Sequence, residues 1–242
     1  MHVSAYDLKA FYHSRIGLTV RHILREKLRT FWPDVKGLEV LGCGYAIPYL
    51  RPFMSEAERT YAVMPPWQGI HHWPSGEKNL AAYAEEDRLP FASSTLDRVI
   101  LFHHLEFSHD VQGALEEVWR ILRPTGRLIV VVPNRTALWA QADWTPFGGG
   151  RPYTASQLSA TLLENKFVHE RTEQALFFPP LKFTPALKAA FVLEKYGRYV
   201  WPLGGVHIVE ASKQLYAPID KSRGSKVKAA VPVMGRKAQP AV

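Results

Sequence analysis

Leu38-Glu39-Val40-Leu41-Gly42-Cys43-Gly44-Tyr45-Ala46 is the stretch on which the fold turns. An apolar run ends in a Gly-x-Gly turn, and Ile47, Tyr49, Leu50 and Phe53 follow as a helix opening. A strand that feeds a glycine turn lets backbone N–H groups come close to a ligand, because no Cβ blocks the approach. The same pattern also serves an ordinary strand–turn–helix, so its meaning depends on what surrounds it.

Downstream, residues 59–64 read as a second strand stopped by Pro65-Pro66, and 79–84 as a third that runs into Glu85-Glu86-Asp87. Leu89-Pro90-Phe91 and Ser93-Ser94 form a turn before a fourth strand over 96–102. Residues 110–122 place Leu115, Val118, Trp119 and Leu122 on one helical face, closed by Arg123-Pro124-Thr125-Gly126. The uninterrupted apolar run 128–132 predicts a strand buried on both faces, beginning at Arg127. Strands and helices in alternation predict an open, mostly parallel, Rossmann-like α/β sheet with helices on both faces.

Upstream, apolar residues at three- and four-residue spacing over 7–31 predict one helix ended by Trp32-Pro33-Asp34. Beyond Pro133, the spacing predicts a helix over 154–165, strands over 167–178 and 206–211, and an inserted amphipathic helix over 185–201. The organisation expected is a helical segment 1–34, a core domain 35–213 with a helical insertion at about 179–203, and a disordered basic tail 214–242.

Composition narrows the function classes. The 47% hydrophobic content and 12% aromatic content belong to a globular chain. No apolar run approaches the ~18 residues of a membrane span, and the first residues lack the basic start and apolar core of a signal peptide. Cys43 is the single cysteine, which excludes an internal disulfide and a cysteine-based zinc site. These features predict a cytoplasmic protein. His71-His72 and His103-His104 have no third ligand at suitable spacing, so no metal site is expected. The net charge of +8 suggests nucleic acid. However, residues 214–242 carry six basic side chains against one acidic, leaving +3 for the rest, so the basicity belongs mainly to the tail.

Five stretches then align in order. They are Leu41-Gly42-Cys43-Gly44, Leu89-Pro90-Phe91, Leu96-Asp97-Arg98-Val99-Ile100, His103-His104-Leu105-Glu106, and the run from Glu117 through Arg123-Pro124-Thr125-Gly126. Together they resemble the class I S-adenosylmethionine-dependent methyltransferases of the type 11 group. The resemblance implies a seven-stranded sheet with an antiparallel last strand and S-adenosyl-L-methionine as cofactor. It implies Gly42, Cys43, Gly44 and Tyr45 at the methionine end, Met64 at the ribose position, and Glu85 and Glu86 at the adenine. His103 would face the sulfonium, and Tyr12 would close over the cofactor. His103 or His104 is the candidate general base, because histidine titrates near neutrality.

Two positions depart from the family pattern. An acid is expected two residues before the first glycine, where Val40 stands, and Glu39 is one residue early and on the other face. A second acid is expected at the end of the second strand to hold both ribose hydroxyls, where Met64 stands. Hydrogen bonds to a charged group are worth roughly 1.5–3 kcal/mol each, so Gln68 and Trp67 are the candidates to compensate. Three functions follow from these readings. The first is methyl transfer to a small-molecule or lipid-like acceptor. The second is a non-catalytic interaction or regulatory protein on the same fold. The third is a nucleic-acid methyltransferase anchored by the tail, which is disfavoured because Val132-Pro133-Asn134-Arg135 replaces an Asn-Pro-Pro-Tyr-type run. The inserted helix, with Lys182, Lys188, Lys195 and Arg198, could pack on the sheet, cover the pocket as a lid or contact a membrane surface.

Overall fold

Ser4 accepts a hydrogen bond from the Asp7 N–H while the Asp7 carboxylate accepts from the Ser4 N–H, a capping box that starts α1 (Ala5–His13). The helix expected over 7–31 is in fact two helices. Ser14 is extended (φ −71°, ψ 161°); its N–H caps the end of α1 on the Phe11 carbonyl, and its Oγ accepts from Gly17 N–H to start α2 (Arg15–Phe31). One residue, whose hydroxyl also donates to the Phe11 carbonyl at 2.6 Å, satisfies both helix ends and so stabilises the break, which periodicity does not register. A Cβ on Gly17 would lie 1.9 Å from the Phe11 carbonyl oxygen, so glycine is what lets the two helices abut.

The computed structural model describes residues 4–181, 184–200 and 203–215. Most of the 214–242 tail therefore lies outside the described residues. The strands are β1 (Glu39–Gly44), β2 (Arg59–Met64), β3 (Ala81–Tyr83), β4 (Leu96–Phe102), β5 (Leu122–Pro133), β6 (Phe167–Ala175) and β7 (Val206–Lys213). They form one sheet in the order β3-β2-β1-β4-β5-β7-β6. The first five are parallel, and β7 runs antiparallel to both β5 and β6. β5 begins earlier than Arg127: Leu96 pairs with Leu122, then Arg98 pairs with Arg127, so the Arg-Pro-Thr-Gly turn bulges from within a strand.

Alternation along the strands separates two cores. Val40, Ala62, Met64, Ile100, Phe102 and Val131 face one side, covered by α1, α2 and the short α3 (Ile47–Leu50). Leu41, Cys43, Val63, Val99, Leu101 and Val130 face the other, where α4 (Val111–Ile121) and α5 (Ala155–Glu164) pack. Thr154 and Gln157 make a second capping box at the start of α5. The last helix is α6 (Thr184–Val200), between β6 and β7. The order of strands reverses between β1 and β4, and in open α/β sheets the crevice beyond their carboxyl ends is where ligands bind.

Candidate active site

Beyond β1 and β4 the chain builds a buried polar chain inside an aromatic shell. The β1 turn is locked to its neighbour by the Tyr45 N–H, which donates to the Phe102 carbonyl at 2.8 Å. Gly44 has φ +74°, and a Cβ there would sit 2.4 Å from the Phe102 carbonyl oxygen and 2.9 Å from that of His103. On Gly42 a Cβ would meet Ala46 Cβ at 2.6 Å. Both glycines are thus required by packing of protein on protein.

His103 follows β4 with φ +50°, a left-handed conformation that a side chain larger than glycine adopts only when its surroundings hold it. Those surroundings are explicit. Its Nδ1 lies 3.1 Å from Glu106 Oε1, its Nε2 lies 2.7 Å from the Tyr12 hydroxyl, and its carbonyl accepts from Gln68 Nε2 at 3.1 Å. The second Glu106 oxygen accepts from the His104 N–H at 3.1 Å. A carboxylate only accepts, so Nδ1 carries a proton, which leaves Nε2 of the neutral ring to accept from Tyr12. All four side chains are buried, with Tyr12 and His103 each 1% exposed. Burial pushes the Tyr12 phenol well above its ordinary value, with Tyr49 adding to the effect, so it stays a donor. Burial lowers the His104 pKa, while Glu86 and Glu106 act in the opposite direction.

Aromatic rings close this chain from water. Tyr12 stacks on Tyr45 at 5.7 Å and meets Tyr49 edge-on at 5.8 Å, while Tyr49 stacks on Phe102 at 4.1 Å. Phe147 lies 5.0 Å from the His103 ring. α1 is held over the site at a second point, where the Ala5 N–H donates to the Gln68 carbonyl at 2.7 Å.

Gly42, Gly44, Tyr45, Tyr12 and His103 are therefore brought together. Met64 is fully buried in the same core, as is Val40. The Cys43 side chain lies in the opposite core, where burial pushes its thiol up to about 12. Glu85 is exposed. Glu86 Oε1 accepts from the Ser108 hydroxyl at 2.9 Å and from the Asp110 N–H at 3.3 Å. Reading the sequence missed Glu106 as a partner of His103, although the His-x-x-Glu spacing was visible, and did not bring Phe147 to the His103 ring. Gln68 was considered for a ribose, whereas its amide holds the His103 carbonyl.

The cofactor implied by the resemblance can be tested against these groups. Gln68 Oε1, His104 Nδ1 and Glu86 Oε2 are buried atoms without a hydrogen-bond partner, which a polar ligand of the S-adenosylmethionine kind would satisfy. On those atoms the residues fit such a group. At Val40 and Met64 two carboxylates are missing, and with α1 docked the space over the glycine turn is taken by Tyr12 and Tyr45. Among the described residues no group of three or more metal-ligating side chains gathers.

Residues 41–130 match a family model described as a methyltransferase domain. An uncharacterized protein, YafE, of Escherichia coli is 53% identical over 49 residues, which is 20% of this chain and 23% of that protein. A demethylmenaquinone methyltransferase of Streptomyces griseus is 35% identical over 60 residues, 25% of this chain and 24% of that protein. The chain thus spans about a quarter of the length of the curated relatives it matches. Among solved structures, an S-adenosylmethionine-dependent methyltransferase of Mesorhizobium loti superposes with a TM-score of 0.55 at 16% identity, covering 78% of this chain and 96% of that one. That last likeness is one of fold. Over residues 41–130 the chain thus resembles a methyltransferase domain in sequence, and its fold as a whole is the Rossmann-like one of S-adenosylmethionine-dependent methyltransferases.

Proposed function

We propose that this protein transfers a methyl group from S-adenosylmethionine to a small-molecule or lipid-like acceptor in the cytoplasm, with residues 35–213 as the working domain. The observation that carries this reading is the buried Glu106–His103–Tyr12 chain at the switch in strand order. A left-handed histidine fixed through both ring nitrogens and its carbonyl is costly to build, and such strain gathers at functional sites. When bound, the cofactor supplies a methyl group on a sulfonium, which is open to in-line displacement. Glu106 holds the His103 ring in one orientation and one tautomer, so Nε2 is the basic atom. Tyr12 occupies that nitrogen while α1 is docked. Withdrawal of Tyr12 frees Nε2 to receive the proton that the acceptor loses during attack. Proximity and exclusion of water supply the rest. Gln68, His104 and Glu86 would hold the polar parts of the cofactor through their unpartnered atoms.

Val40 and Met64, both fully buried and apolar, support a second reading, in which the fold serves as a non-catalytic interaction protein. Titration calorimetry of the full chain with S-adenosylhomocysteine separates the two. Micromolar binding is expected. Absence of heat and of a thermal shift at millimolar ligand would overturn methyl transfer and leave the second reading.

A further inference from the structure

The inner stripe of α6 is narrow. Ala190 is fully buried, a Cβ on Gly197 would lie 2.7 Å from Phe177 Cβ, and the Glu194 carboxylate accepts from the Leu176 and Phe177 N–H groups. These positions are four and three residues apart and form one line along the helix. Everything described on the remaining face is apolar or aromatic except Lys195. Val192 is 60% exposed, Tyr196 53% and Tyr199 72%, with Leu193 also exposed, while Phe191, at the edge of this face, meets the His22 ring of α2 edge-on at 5.3 Å. A helix that meets only water carries polar residues on its outer face, and this one does the reverse.

That face is continuous with a cavity. Leu193 and Leu203 belong both to the exposed surface and to the wall of a pocket of about 310 Å³. Leu138, Trp139, Leu176, Phe177, Phe178 and Pro179 complete a lining that contains no charged side chain. Trp139 is fixed in this wall by its Nε1–H, which donates to the Phe178 carbonyl at 2.6 Å.

Charge decides between occupants. Residues 179–203 hold Lys182, Lys188, Lys195 and Arg198 against Glu194, a net of +3, and the one acid is engaged inward with backbone N–H groups. A second copy of the chain would bring the same positive charge against itself. An anionic lipid bilayer offers the opposite charge above a hydrocarbon layer, and Tyr, Phe and Lys are the residues that sit where the two meet. We infer that the outer face of α6 and the adjoining pocket are a docking surface for an anionic lipid bilayer, with the aromatic and aliphatic side chains lying at the headgroup–acyl boundary. No helix among the described residues is long and apolar enough to cross a membrane, so the contact is one of surface.

The test is co-sedimentation of the full chain with phosphatidylcholine vesicles, with and without phosphatidylglycerol. Three net charges predict partitioning roughly a hundredfold stronger on the anionic vesicles at low salt, decaying as salt is added. The double variant Val192→Glu/Tyr196→Glu, with the basic tail intact, should lose about tenfold or more. Because Cys43 is buried, a Val192→Cys thiol alone takes a polarity-sensitive dye, and its emission should shift to the blue on anionic vesicles. Failure to bind anionic vesicles overturns the inference. So does a double variant that binds as the parent does, since the tail would then account for binding, and so does a dye that reports water throughout. A dimer in light scattering that the double variant abolishes, without vesicle binding, assigns the face to self-association instead.

Discussion

The site beyond β1 and β4 and the outer face of α6 break the ordinary rule of folding in opposite directions. The first buries Tyr12, Gln68, His103 and Glu106 where apolar side chains would pack more cheaply; the second exposes Val192, Leu193, Tyr196 and Tyr199 where polar ones would dissolve better. Between them, the sheet obeys the rule strand by strand, with two clean apolar cores. The buried site offsets much of the cost of its polar groups by hydrogen bonding among Tyr12, His103, Glu106 and Gln68, and leaves Gln68 Oε1, His104 Nδ1 and Glu86 Oε2 without partners. The α6 face has no such internal compensation, because apolar surface is satisfied only by more apolar surface. One irregularity is therefore largely satisfied within the chain, with three polar atoms left for a ligand, and the other is apolar surface turned outward.

Substitutions can break this contrast in order of size. Gly44→Ala should cost about 3 kcal/mol or more, because its Cβ would collide with the Phe102 carbonyl at a positive φ. Gly37→Ala, at φ +70° with nothing within 4 Å, should cost only about 1 kcal/mol, and denaturant melts of the two separate packing from strain. Glu106→Ala removes the acceptor of two buried hydrogen bonds and should lower stability by about 2–4 kcal/mol in the same assay. Tyr12→Phe leaves one buried nitrogen without its partner, a loss of about 1–2 kcal/mol. If methyl transfer is the function, the same variant frees Nε2 and should not abolish turnover, whereas Glu106→Ala should.

The pH dependence has a definite sign. Burial lowers the pKa of His104 and of His207 below 6.5 in the folded protein. Below that value the unfolded chain takes up protons that the folded one does not, so stability is full above pH 6.5 and falls as the pH drops. Each histidine contributes up to about 1.4 kcal/mol per pH unit until its folded pKa is reached. Denaturation midpoints measured on either side of neutrality should show the decline, and His207→Gln should flatten it. The smallest effect belongs to the other region. Val192→Glu/Tyr196→Glu should change stability by no more than about 0.5 kcal/mol, because both side chains are already in water. A large loss there would mean that the face is packed after all.

Much of the architecture was legible in the residues. The five parallel strands and the α5 helix bounded by Thr154 and Asn165 rest on short-range causes: alternation, capping and proline or glycine punctuation. The glycine turn does not fall where expected, because Gly42-Cys43-Gly44 continue β1 in register with β4 and the chain turns only after Gly44. The exceptions have equally local causes seen only in space. Ser14 satisfies two helix ends at once, and β5 continues through a bulge at the Arg-Pro-Thr-Gly turn because Leu122 finds Leu96 across the sheet.

The site divides along the same line. The sequence alone determined that glycines, His103 and a loop of polar residues would meet at the strand ends, since their place follows from strand order and motif spacing. It also showed that Val40 and Met64 are not acids. Only the tertiary structure decided that Tyr12, 91 residues away, binds the His103 ring, that Glu106 holds its other nitrogen, and that the glycines are closed against protein atoms. It alone decided, too, which side of α6 is turned outward. Hydrogen bonds and burial depend on distances between residues remote in the chain, and a one-dimensional pattern records which residues are present but not which of them the fold brings within reach.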